Sequence, residues 1–102
     1  MTANNDQLAD VILRAETGDL LNDAEYFQYA SGTRAMFRYF ENVHYQYRQG
    51  LYDPDEFAAQ LEAWRSSGYA QIPAAQSIWC ESRAFFSPDF RAAFDDVVAR
   101  EC

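Results

Sequence analysis

The sequence predicts an all-α fold, a compact bundle of about five helices built around one long central helix. Three observations lead there. Five segments repeat their apolar residues at helical spacing, and no stretch of comparable length alternates as a half-buried strand would. Helix start and stop signals bracket these segments, with proline at the first position of three of them. The chain has 102 residues, 49% of them hydrophobic, with only 4 Gly and 3 Pro, which suits one core and one domain over residues 1–102 without linkers or repeats.

The first helix is expected over about 6–16, with Leu8, Val11, Ile12 and Ala15 on one stripe, Asn5 or Asp6 as its cap and Gly18 as its end. The second and longest spans about 23–49. Asn22 and Glu25 form a capping box at its start, and Gly50 supplies the left-handed residue after it. Tyr29, Thr33, Met36, Phe40, Val43 and Tyr47 alternate at spacings of four and three and predict its buried seam, while Gly32 is a candidate bend. Asp53-Pro54-Asp55-Glu56 reads as an N-cap, a proline at the first helical position and a glutamate at the third, opening a third helix. Phe57, Leu61 and Trp64 give that helix its apolar stripe, Gly68 closes it, and the short link makes it an antiparallel neighbour of the second. Pro73 opens a fourth helix, about 73–84, with Ala75, Ile78, Trp79 and Ser82 facing one way. Ser87-Pro88-Asp89 opens a fifth, about 88–100, with Phe90, Phe94, Val97 and Val98 inward.

Eight basic residues, all Arg, stand against 16 acidic ones, for a net charge of −8. That field repels phosphate backbones and anionic headgroups, so direct nucleic-acid binding is not expected. No apolar run approaches the ~20 residues of a membrane span, and residues 1–7 lack the pattern of a leader, so membrane insertion is not expected and the chain is read as cytoplasmic. Cys80 and Cys102 have neither the number nor the spacing of a disulfide framework or a zinc site and are read as two free thiols.

Glu41-x-x-His44 has the carboxylate–imidazole spacing of di-iron bundles, but His44 is the only histidine, and one chain cannot complete such a site. His44 is therefore expected at the surface or an interface. Cys80 has no histidine near it in sequence, and no Gly-rich phosphate loop is present, so no catalytic, metal or cofactor-binding residue is assigned and no cofactor is expected. Arg38, Glu41, His44, Tyr45 and Arg48 recur on successive turns of the long helix. They read either as a cation and an aromatic that grip a partner's carboxylate, or as a network tying the second helix to the third and fourth. The aromatics of this helix surround nearly all its sides, so some must meet solvent or a partner.

The run FENVHYQYRQGLYDPDEF, from Phe40 to Phe57, followed by Trp64 and by WCESRAFFSPDFRAAFDDVV, from Trp79 to Val98, resembles a family of uncharacterised bacterial helical-domain proteins. Their signature reads F-E-N-x-x-Y-Q-Y-R-x-G-L. The likeness extends back to Leu8–Leu20, and Glu41, Tyr45, Gln46, Arg48 and Gly50 stand at signature positions. Many members carry an N-terminal membrane anchor, from which the polar Met1 to Gln7 departs. The resemblance implies a helical domain and no catalytic residue.

These readings converge on a non-catalytic helical protein-interaction module with an unidentified protein partner. The alternative is an acidic inhibitor or nucleic-acid mimic that occupies a binding groove on another protein. A weak homodimer through the second helix is also expected, strengthening with salt as the repulsion between two −8 chains is screened.

Overall fold

Five α-helices appear in chain order in a computed structural model, which describes the backbone of residues 2–66 and 69–102 and the side chains of 7–66 and 70–102. They are α1 (Thr2–Glu16), α2 (Asp23–Arg48), α3 (Pro54–Ser66), α4 (Pro73–Ser82) and α5 (Pro88–Val98), with short 3-10 turns at Tyr69–Gln71 and Arg83–Phe85. No strand occurs among the described residues. α2 touches all four other helices and is the centre of the bundle.

The terminal signals act as local chemistry demands. Asn22 Oδ1 accepts from the Glu25 N–H at 2.8 Å while Glu25 Oε1 accepts from the Asn22 N–H at 3.0 Å, which satisfies two orphan donors of α2. Asp53 and Ser87 cap α3 and α5 by accepting from the N–H groups of Glu56 and Phe90. α1 and α2 both end on a glycine with positive φ, Gly18 at 84° and Gly50 at 75°. In each case the next residue donates back five positions, Asp19 to Arg14 and Leu51 to Gln46, as a left-handed cap requires. α1 differs from expectation, because it already runs from Thr2 and so neither Asn5 nor Asp6 stands ahead of its first turn. The expected closing residue of α3, Gly68, lies outside the described residues.

The core is aromatic and sits where α2, α4 and α5 converge. Phe37 meets Trp79 and Phe94 edge-on, each at 5.3 Å between ring centres, and Phe94 lies 4.9 Å from Trp79. Trp64 of α3 joins through Phe40 at 4.5 Å. The inward faces of α4 and α5 are those read from the sequence. The seam of α2 is turned by about half a helix face. Tyr29, Thr33 and Val43 are buried, but Met36 is 42% exposed and Tyr47 38%, while Ala30, Phe37 and His44 take the interior. Partners on several sides pull the buried arc of a central helix away from its most regular apolar row. Gly32 does not break α2, which continues as regular helix through it.

The thiols also differ from expectation. Cys80 and Cys102 form a disulfide, with their Cα atoms 5.3 Å apart across 22 residues of sequence. α5 ends in a left-handed turn at Ala99, φ 55°, which returns the last residues to α4. The final carbonyls of α5 are satisfied from outside the helix, since Gln71 Nε2 donates to Val97 and Gln76 Nε2 to Val98.

Candidate contact surface on the central helix

α2 brings the five sequence-selected residues to one end of the bundle, and the fold then divides them. Arg38 lays its guanidinium carbon 4.2 Å above the Phe86 ring and donates from Nη1 to Glu41 Oε1 at 2.5 Å. Glu41 Oε2 accepts from the Ser87 backbone N–H at 2.8 Å, so a single carboxylate bridges an arginine of its own helix and the residue that caps α5. Burial alone would raise the Glu41 pKa. The bonds from Ser87 and Arg38 outweigh it and hold the carboxyl below its ordinary value.

His44 is buried at 8% exposure between Phe57 and Phe90, each 5.9 Å away, which corrects its expected surface position. It lies over the core arc of α2, where helices α3 and α5 cover it. Its Nδ1 accepts from Arg48 Nε at 3.2 Å, and burial together with the Arg48 charge lowers its pKa despite Asp89 nearby. His44 is therefore a neutral core group with an acceptor role. Arg48 continues to Asp89 Oδ2 at 3.0 Å and stands 5.5 Å from the Tyr45 ring. The network so formed ties α2 to α5, not to the third and fourth helices as expected.

Glu41 and His44, considered together as metal ligands in the sequence, thus turn to different partners. Among the described residues no group of three or more His, Cys, Asp or Glu is placed to hold a metal ion. Cys80 is committed to its disulfide and does not pair with His44.

Three of the five residues, Arg38, Glu41 and Tyr45, line a shallow groove of about 650 Å³ on the outer face of α2, closed by Ala35, Tyr39, Asn42 and Ser87. A neighbouring hollow shares Arg38 and adds Arg34, Glu81, Ser82, Phe85 and Phe86. Tyr39 (53%), Tyr45 (50%) and Phe85 (75%) stand exposed around this surface. Arg34 enters no ion pair among the described residues, whereas Glu81, which lines the same hollow, accepts from the Tyr26 hydroxyl. Phe85 was not selected from the sequence. Phe85 and Phe86 are adjacent, and only the 3-10 turn that ends there decides that Phe86 points into the core and Phe85 outward.

Outside this surface the fold builds a second polar cluster that sequence reasoning missed. Asp95 of α5 accepts from the indole N–H of Trp79 at 2.8 Å and from two guanidinium nitrogens of Arg83. Burial would raise the Asp95 pKa, but Arg83 and Trp79 outweigh it and lower it. Its members are 12 and 16 residues apart in sequence, too far for any helical spacing rule to connect.

No helix among the described residues is long and apolar enough to cross a membrane. No family model, curated protein or solved structure matches the chain.

Proposed function

We propose that the chain is a non-catalytic protein-interaction module that receives a protein partner on the outer face of α2. The observation that carries this reading is the exposure of Tyr39, Tyr45 and Phe85 around an arginine already held in place by Phe86 and Glu41. Exposed aromatic rings and arginines supply much of the energy of protein interfaces, and a preset side chain loses little conformational freedom on binding. Arg38, Glu41 and Tyr45 are the expected contacts. Arg48 supports Tyr45 from the side, and His44 supports the helix from within.

A photocrosslinking residue placed at Tyr39 in the native host tests this. One saturable adduct is expected, reduced by Arg38→Glu and absent when the crosslinker stands at exposed Leu51 instead. The same adducts from both positions, or none, would refute it.

The acidic-mimic reading requires free carboxylates gathered on one face. Six of the 16 acidic residues, Asp10, Glu25, Glu41, Asp89, Asp95 and Asp96, are each paired with an arginine, so that reading would rest on the others, of which Asp53, Asp55 and Glu56 stand together at the start of α3. The cytoplasmic setting expected from the sequence is opposed by the Cys80–Cys102 bond, because reducing compartments keep such thiols open. Counting free thiols in protein alkylated directly from cells decides it: none supports an oxidising compartment, and two support the cytoplasm.

A further inference from the structure

Gly32 sits in the interior of the longest helix and weakens it relative to alanine, yet among the described residues nothing approaches the space its side chain would fill. Its φ is not in the left-handed region, α2 continues through it, and a Cβ built there would meet no atom within 4 Å. A helix glycine with no local return points to a close approach from outside. Gly32 lines a groove of about 180 Å³ between α1 and α2, whose other walls include Leu8, Ile12, Gln28 and Met36. Leu8, Ile12 and Met36 are 37%, 36% and 42% exposed.

We propose that this groove is a self-association face, occupied by the same face of a second copy of the chain. The first argument is electrostatic. Two −8 chains repel, and juxtaposed like charges would cost most wherever carboxylates meet. Every residue lining this groove is uncharged, so the face can meet itself without a charge conflict. The second argument is shape. Met36 follows Gly32 by four residues and shares its side of α2. In an antiparallel two-fold pairing centred between these positions, Met36 of each copy lies over Gly32 of the other, as an isologous contact demands.

Size sets the strength. α1 has 15 residues, about 22 Å at 1.5 Å per residue, and two helices side by side are about 20 Å across, so the face offers about 440 Å² per copy. Stable interfaces use about 800 Å² per partner. The dimer is accordingly weak, with a Kd between about 10 μM and 1 mM. It tightens with added salt, because salt screens the net repulsion and no charged residue lines the groove at its centre. This contact lies on a different side of α2 from the Arg38 groove, and the two proposals fail independently.

Sedimentation equilibrium of the wild-type chain at low and high salt, alongside Gly32→Leu, Gly32→Ala and Tyr45→Ala, tests it. The wild type is expected to dimerise reversibly and more tightly at high salt. Gly32→Leu is expected to raise the Kd at least about tenfold with no loss in thermal midpoint. Gly32→Ala should raise the midpoint while weakening the dimer, an opposition of sign that a purely structural glycine would not produce. Should Gly32→Leu fail to fold, the alanine variant decides alone. A wild type that stays monomeric up to about 1 mM, the top of that range, would overturn the proposal. So would an unchanged Kd in both glycine variants, or a dimer released by Tyr45→Ala alone, which would place the contact on the arginine side.

Discussion

Replacing Asp95 by alanine should destabilise the chain by about 1–4 kcal/mol, and replacing it by asparagine by at most about 1 kcal/mol. Trp79 is wholly buried, and its indole N–H has Asp95 as its acceptor at 2.8 Å. Alanine leaves that donor unsatisfied in the core, at about 1–3 kcal/mol. It also removes the pair with Arg83, whose side chains are 34% and 36% exposed, so that solvent screening limits this part to about 1 kcal/mol or less. Asparagine keeps an oxygen for the indole and loses only the charge. Urea titration of the three proteins at neutral pH measures both differences, and the alanine variant should melt roughly 4–20 °C below the wild type on the usual scaling for a domain of this size. Equal losses for alanine and asparagine would refute the reasoning, because the indole bond would then carry none of the cost.

Trp64→Ala should cost about 3–5 kcal/mol, since Trp64 is only 6% exposed and packs on Phe40, Phe57 and Phe94; a urea midpoint equal to the wild type would contradict its place in the core. Stability should fall with acid in two stages. The folded-state pKa of His44 is lowered, so the unfolded chain binds that proton more readily and stability drops as pH falls from about 6.5 towards the folded value. Glu25, Glu41 and Asp95 are also lowered, and their contribution, complete above the ordinary carboxylate range near pH 4, is lost as pH falls through their folded values. Thermal midpoints measured against pH should show both stages, and His44→Phe should remove the upper stage alone; an upper stage that survives in this variant would assign it elsewhere. Ala99→Gly should stabilise by about 0.5–1 kcal/mol, because glycine relieves the left-handed backbone at φ 55° and this gain exceeds its greater freedom in the unfolded chain. A lower melting temperature for the glycine variant would contradict that.

The sequence by itself determined the five helices and, apart from the start of α1 at Thr2, the signals that open or close most of them, because these are short-range matters. Asn22 reaches Glu25 three residues on, Asp53 reaches Glu56, Ser87 reaches Phe90, and Gly18 and Gly50 adopt a backbone that few other residues tolerate. Each signal is complete within about one turn, so no knowledge of neighbouring helices is needed. The inward faces of α4 and α5 were legible for a related reason, since each has one dominant apolar stripe. Tertiary structure decided what depends on several neighbours at once. α2 is apolar or aromatic on nearly every side, and only the placement of α3, α4 and α5 selected Phe37 and His44 for the core and left Met36 and Tyr45 outside. The same holds for the bridge from Glu41 to Ser87, 46 residues apart, for Asp95 beneath Trp79, and for the Cys80–Cys102 bond. Helical periodicity describes directions around one axis; which directions are filled is a property of how the axes pack.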